Sequence, residues 1–461
     1  MNETATKRAV LIIASLSSFI VPFIGSSVNI ALPTIGKEFK IDAVMLSWVP
    51  TSYLLASAMF LLPFGRTADI YGRKKIFLAG FITYTIGSLL SALSISDLML
   101  IACRVIQGIG SAMTFGTAMA ILTSVYPPQE RGRAIGITTA SVYTGLSLGP
   151  FLGGFLTQHL GWRSIFYANV PLGLVVIILV VWRLKGEWAE ARGEKADLPG
   201  SILYALTLFL VIYGLSRLPS SLGVGFIVVG GIGIIMFFFL EARTSSPVLN
   251  VQMFRHNLVF TFSNLAALIH YSSTFAVTFL LSLYLQYIKG LSAQSAGMIL
   301  ISQPIMMAFF SPLAGRLSDR IEPRVIASLG MACTCVAIYL LSFIGDNTSL
   351  PYIVFNLLIL GFGFALFSSP NTNAVMSSVE RRYLGVASGT IGTMRLVGQM
   401  FSMGMAMMIF SIIIGKVMIT PELYPLFLRS AKIALGINGT LCFVGIFFSL
   451  ARGKIQREGM A

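Results

Sequence analysis

Charge is scarce in this chain. Asp, Glu, Lys and Arg make up 11% of its 461 residues, against 56% hydrophobic residues, and the mean hydropathy is +0.85. No water-soluble domain hides that much apolar surface, so the bilayer is the solvent. Long polar stretches are lacking as well. The longest, 183–198, is too short to fold as a domain, which leaves almost nothing outside the membrane. Acids are missing where a cation pump would want them: every Asp and Glu falls in a loop or at a helix end. The four cysteines, Cys103, Cys333, Cys335 and Cys442, all lie in apolar runs. Two cysteines two apart on a helix point to different faces, so neither a metal site nor a disulfide framework is expected. There is no Gly-Lys-Ser/Thr phosphate loop and no hydrolytic triad, which argues against a nucleotide-driven pump or an enzyme. No cofactor is expected.

What is present is a series of apolar runs of about 20 residues, each long enough to span as a helix. Fourteen are expected: 9–32, 46–66, 76–95, 98–124, 133–157, 163–182, 199–217, 223–241, 258–286, 293–315, 324–344, 351–377, 386–415 and 433–451. The first, from Val10 to Leu32, is too long for the core of a signal peptide and is expected to stay as a membrane helix. Basic residues gather in alternate loops: Arg73-Lys74-Lys75, Arg131 and Arg133, Arg183 to Lys195, Arg316 to Arg324, Arg381-Arg382, and Arg452 to Arg457. This positive-inside pattern predicts a cell-membrane protein with those loops and both termini cytoplasmic. The net charge of +15 therefore reports topology, and no nucleic-acid partner is expected. Trp188, in the charged linker, is expected on the membrane surface.

One charged turn occurs twice at a fixed offset. Gly65-Arg66-Thr67-Ala68-Asp69 recurs as Gly315-Arg316-Leu317-Ser318-Asp319, and Glu130-Arg131 recurs as Glu380-Arg381. The chain thus reads as two related halves, an all-α membrane protein of two six-helix bundles with two helices inserted at the middle. The expected divisions are 1–183, 184–257 (linker, inserted pair and loop) and 258–461. Paired bundles with a site between them are a transporter build.

Three motifs carry chemistry. In Gly65 to Lys75, Gly65 and Gly72 allow a tight turn, Arg73 and its neighbours hold it at one membrane face, and Asp69 is placed to pair with an arginine. Such a contact can hold a gate. In Arg104-Val105-Ile106-Gln107-Gly108, an arginine inside a span marks function. In Gly145 to Gly154, Gly145, Gly149, Gly153 and Gly154 permit close helix approach and Pro150 bends the helix. These runs resemble the conserved cytoplasmic loop, the fourth-helix motif and the fifth-helix antiporter motif of the major facilitator superfamily. Thr67 and Ile70 depart from the loop pattern, and Glu322-Pro323 from its second copy. Val28 to Pro33, Trp162 to Pro171 and Glu241 to Arg255 narrow the resemblance to the 14-helix drug:proton antiporter branch.

The resemblance implies alternating access and proton-coupled efflux of amphiphilic small molecules or drugs. It places Arg104 at the cavity, in proton coupling. Gly65, Asp69, Gly72, Arg73, Glu130, Arg131, Asp319 and Arg381 are the expected gate. Asn29, Arg104, Gln107, His270 and Arg395 are the expected substrate and proton pathway. The branch commonly has an acid where this chain has Ile24. With His270, Arg104 and Arg395 as interior ionisable groups, neutral or anionic substrates are favoured over cations. Met394, Met400, Met403, Met405, Met407 and Met408 are expected as lipid-facing filler. Rival readings on the same fold are a proton-coupled importer of an organic anion or nutrient, and a lipid translocase; a receptor that moves nothing is a third. Expected partners are a small amphiphilic substrate, protons and membrane lipids, with the protein a monomer.

Overall fold

A computed structural model describes residues 3–244, 246–380 and 384–453. The helices are α1 (Glu3–Phe39), α2 (Ala43–Tyr71), α3 (Arg73–Ala92), α4 (Asp97–Val125), α5 (Pro128–Leu160), α6 (Arg163–Arg183), α7 (Leu198–Arg217) and α8 (Ser221–Glu241). They continue as α9 (Val251–His256), α10 (Leu258–Leu283), α11 (Ala293–Leu300), α12 (Ser302–Arg320), α13 (Pro323–Leu341), α14 (Leu350–Ser377), α15 (Leu384–Ile413) and α16 (Tyr424–Ala451). Among the described residues there is no strand.

Thirteen helical stretches are long and apolar enough to cross a membrane. Helices α11 and α12 count as one of them, with a break at Ile301. The fourteenth is α5, whose Gly, Ser and Thr lower its hydropathy; its 33 residues still reach about 50 Å. The helices outrun the expected spans, most clearly α1, because they continue through their polar ends.

The pairing of helices is written twice. In the first bundle α1 packs on α5 and α6, α3 on α4 and α6, and α2 on α4. In the second, α10 packs on α15 and α16, α13 on α14 and α16, and α12 on α14. The bundles meet through α2 against α15 and α5 against α11 and α12, which are symmetry mates, and through α1 against α10. The inserted helices pack on each other, and α7 touches both α2 and α15. Helix α8 turns Val228, Ile232, Ile235 and Phe239 outward, as lipid-facing residues.

Two corrections concern side chains. Met400, Met403 and Met407 are fully buried in the core rather than lipid-facing. They fall on the face of α15 that packs on α2, α10 and α7, where flexible thioethers fill irregular gaps. Met394 and Met408, expected as lipid-facing, are likewise partly buried against core clusters, as is Trp188 in the linker. The four cysteines are free, three of them buried.

Both described chain ends and the turns after α2, α4, α6, α8, α12 and α14 share one end of the molecule, here the basic end. The opposite end is the far end. At the far end the bundles are joined by hydrogen bonds: Ala43 N to Val417 O at 3.1 Å, Ser282 Oγ to Asn29 O at 2.7 Å and Gln286 Nε2 to Ile30 O at 3.0 Å. Towards the basic end, added Cβ atoms at Gly132 and Gly136 of α5, or Gly385 and Gly389 of α15, would meet nothing within 4 Å. The conformation is closed at the far end and looser at the basic end.

Candidate functional site

The turn between α2 and α3 is the first element. Gly72 sits at φ +121°, a conformation side chains rarely adopt, so the reversal there needs glycine. One turn apart, Asp69 Oδ1 accepts from Arg73 Nε at 2.8 Å. Arg73 is buried to 5% exposure and also donates from Nη1 to Ser124 and Glu190, each at 2.7 Å. A buried guanidinium between two carboxylates is a balanced charge, which an isolated one would not be. At the α4–α5 turn, Glu130 pairs with Lys7 of α1 at 3.2 Å, and Arg131 Nε donates to Tyr126 O at 2.8 Å. Arg381 lies outside the described residues. Asp319 falls in α12, but its side chain is also outside them.

Arg104 is the second element. It is 1% exposed, so it faces the interior of the first bundle rather than reaching for the surface. Among the described residues no carboxylate compensates it. Its Nε donates to Val49 O at 3.3 Å, its Nη1 donates to Gln107 Oε1, and it lies 4.3 Å from the centre of the Tyr53 ring. Backbone carbonyl, amide and aromatic face replace an acid. The network continues through Ser88, whose Oγ accepts from Gln107 Nε2 and from Asn169 Nδ2, each at 2.6 Å. Four helices are tied together around one uncompensated positive charge. Tyr53, Ser88 and Asn169 are the members sequence reading left out; the Trp162 to Pro171 run contained Asn169 without showing its role.

The glycines of α5 form the third element, and they do two jobs. A Cβ on Gly145 would collide with Phe19 O, and one on Gly153 would lie 2.7 Å from Ser27 Cβ. A Cβ on Gly149 would collide with Ser26 Oγ. These three seat α1 on α5, helped by Ser27 Oγ, which donates to Gly149 O at 2.9 Å. Gly154 faces the other bundle, where an added Cβ would lie 2.6 Å from Ala293 O. Gly297 of α11 answers from the second bundle and sits directly against Pro150 O. The far-end closure is therefore backbone against backbone.

Proline shapes the neighbouring contact too. Pro33 has no N–H, so the carbonyl four residues back, Asn29 O, loses its helical donor. Ser282 supplies one from α10. Asn29 itself is buried, and its Oδ1 has no partner among the described residues. Ile24, which stands where the branch has an acid, is fully buried.

The second bundle holds the remaining ionisable candidates. His270 is fully buried, stacks 4.0 Å from Phe367, and has no hydrogen-bond partner on either ring nitrogen among the described residues. Arg395 is half-buried and lies 5.4 Å from the Tyr271 ring. Tyr271 belongs to a cluster that also takes in Tyr143 of α5, so aromatic residues from both bundles meet beside Arg395. Tyr143 and Tyr271 were not legible as site residues, since tyrosine in an apolar run carries no spacing signal. Arg104 and His270 are not brought together: each is packed inside its own bundle. A cavity of about 250 Å³ opens between the bundles at the far end, lined by Lys37, Leu46, Tyr287, Thr420 and Tyr424 among others. It touches neither of them. Beyond α16, Arg452 of the expected basic cluster is buried, with Nε donating to Ser449 O at 2.8 Å. Burial pushes its guanidinium down to about 10.

The Major Facilitator Superfamily profile matches residues 14–403 and 263–457. The chain belongs to this superfamily. The riboflavin transporter RibZ of Clostridioides difficile is 29% identical, over 96% of this chain and 97% of that protein. The multidrug resistance protein Stp of Mycobacterium tuberculosis is 30% identical, over 86% of this chain and 74% of its own. The cephamycin export protein CmcT of Amycolatopsis lactamdurans is 32% identical, over 87% and 85%. Among solved structures, a bacterial homologue of the human lysosomal transporter Spinster aligns with a TM-score of 0.69 at 18% identity, covering 98% of this chain and 96% of that one. The human organic anion transporter MFSD10 aligns at 0.63 and 14% identity, covering 97% and 100%. This superfamily member is thus a multi-pass membrane transporter of small molecules, and not an enzyme.

Proposed function

We propose that this transporter exports amphiphilic small molecules by alternating access in exchange for protons, with both termini cytoplasmic. The observation that carries the reading is the far-end closure. Gly154 and Gly297 let α5 and α11 meet backbone to backbone across the two bundles, while α5 and α15 have open space at the basic end. Close helix contact at the far end and looser packing at the basic end suit loading from the basic side. The positive-inside pattern makes that side the cytoplasm. Relatives named as a multidrug resistance protein and an antibiotic exporter support the same direction.

The substrate reading is neutral or anionic amphiphiles. The buried Arg104 and the half-buried Arg395 have no carboxylate against them among the described residues. Arg104 is assigned to proton coupling with Gln107, Asn29 to the first bundle's share of the pathway, and His270 with Arg395 to the second bundle's. One rival keeps a specific support: the relative matched over nearly the whole chain is named as a riboflavin transporter, which favours import of a nutrient.

The test is proton and substrate flux in proteoliposomes with an imposed pH gradient, against cationic, neutral and anionic amphiphiles. Substrate-evoked proton movement that falls at least about tenfold in Arg104→Ala is expected, in keeping with the loss of a buried charge-assisted contact of a kcal/mol or more. Substrate movement with no proton movement overturns the coupling, and uptake down the imposed gradient overturns the direction.

A further inference from the structure

Segment 184–197, between α6 and α7, lies across the α2–α3 turn as a strap. Trp188 O accepts from Arg73 N at 2.8 Å, and Ala191 N donates to Asp69 O at 3.0 Å. Those two backbone bonds hold strap and turn together at both ends of the gate pair. Three strap acids then reach the same turn. Glu187 Oε1 accepts from Lys74 N at 2.8 Å and so caps the start of α3, which has no cap of its own. Its carboxyl occupies the space over Gly72, where an added Cβ would collide with Glu187 Cδ. Glu190 Oε1 accepts from Arg73 Nη1 at 2.7 Å. Glu194 pairs with Arg66 and accepts from Ser246 Oγ at 3.1 Å, which also ties in the loop after α8.

All of these contacts fall on the first copy of the repeated turn. The strap belongs to the inserted segment, so the insertion gives one gate loop a set of partners that the repeat itself does not encode. Gly72 fits this twice over, through its positive φ and through the room it leaves for Glu187.

We propose that Glu187 and Glu190 are positioning residues of the gate: they hold Asp69 and Arg73 in the docked geometry that goes with an open basic end and a closed far end. The inference rests on the alternating-access reading above. Glu190 acts through Arg73, and Glu187 through the first turn of α3. Arg73 keeps Asp69 as a counter-charge when Glu190 is neutralised, so the loss is of orientation and not of charge balance. A strap that lifts takes away contacts formed in this far-end-closed state, so the basic end closes more often and the far end opens more often in turn.

The experiment uses the full chain in lipid nanodiscs, on a background with the four native cysteines replaced. Two single-cysteine reporters are labelled with a maleimide. Ala191→Cys, buried to 8% exposure under the turn, reports strap release, and Ala293→Cys, 6% exposed at the α5–α11 contact, reports far-end opening. In the double variant Glu187→Gln/Glu190→Gln, labelling at position 191 is expected to rise about tenfold and labelling at 293 to rise about fivefold, the scale of one or two lost charge-assisted hydrogen bonds. Glu190→Asp in an otherwise native strap is expected to restore labelling at 293 to within about twofold of the parent, since it keeps the charge. Unchanged labelling at 191 overturns the docking role. Raised labelling at 191 with no change at 293, or no recovery with Glu190→Asp, makes the strap a tether only and overturns the proposal. If position 293 never labels in the parent, the alternating-access reading fails instead, and with it the gating role built on it, while position 191 still reports whether the strap is docked by these acids.

Discussion

Gly154→Ala separates closing from folding. The added Cβ would lie 2.6 Å from Ala293 O and 3.0 Å from Gln294 Cα. Both neighbours are on α11, in the other bundle, and both are backbone, so no rotamer change relieves the contact. Helix α5 and α11 have to part by roughly 0.6–0.8 Å to restore ordinary carbon–oxygen contact, and overpacking of this kind costs about 1–3 kcal/mol. Because the clash exists only when the bundles meet at the far end, the cost falls on the closed state. That converts to about 5–150-fold in the equilibrium between closed and open far ends. The assay is the distance distribution between spin labels at Leu160→Cys and Ser295→Cys, at exposed positions near the far ends of α5 and α11. The short-distance population of the parent is expected to shrink in Gly154→Ala, and further in Gly154→Ala/Gly297→Ala. Gly136→Ala, also on α5 but with nothing within 4 Å, is expected to leave the distribution alone. An unchanged distribution in Gly154→Ala refutes the claim that backbone contact at this glycine sets the closure. Loss of folded protein would show that the contact supports assembly instead.

Two further outcomes follow from single contacts. Ser282→Ala takes away the donor that replaces the one Pro33 lacks, which leaves Asn29 O unpaired in the closed state. A cost of about 1 kcal/mol, or about fivefold toward the open far end with the same labels, is expected. His270 has neither ring nitrogen paired and sits on Phe367, so a charged imidazole there would lack compensation. His270→Gln is expected to keep the folded protein and to lower substrate-evoked proton flux by at least about tenfold in proteoliposomes; full coupling would make it a packing residue.

The halves were legible because the repeated turn falls at one offset, and membrane spans announce themselves by length and apolarity. Helix α5 shows the reverse: its motif was readable while its hydropathy was too low to mark a span, because interior packing selects Gly, Ser and Thr. Arg104 stood out as a charge in an apolar run, but its partners did not. Tyr53, Ser88 and Asn169 come from three other helices, and no local spacing relates them. The methionines of α15 were misplaced because apolar residues look alike whether they face lipid or core. The strap was the hardest to read. Glu187, Glu190 and Glu194 are acids in a basic linker, and only the fold shows that Arg73, Lys74 and Arg66 lie beneath them.

The two ends of the molecule are held by different chemistry. At the far end the bundles meet through glycine backbones and through a carbonyl that proline leaves free, contacts that carry no net charge and that salt does not screen. At the basic end the gate loop is held by Asp69, Arg73, Glu187 and Glu190, all on the first bundle and its insert. The far end carries charge of its own, as in the Glu38–Arg163 pair, but that pair lies within the first bundle, and between the bundles small residues do the closing. If that division holds, raising ionic strength loosens the strap and leaves the far-end contact intact. Maleimide labelling at Ala191→Cys should then climb with salt, while the spin-label distance between positions 160 and 295 in a state trapped closed should not move.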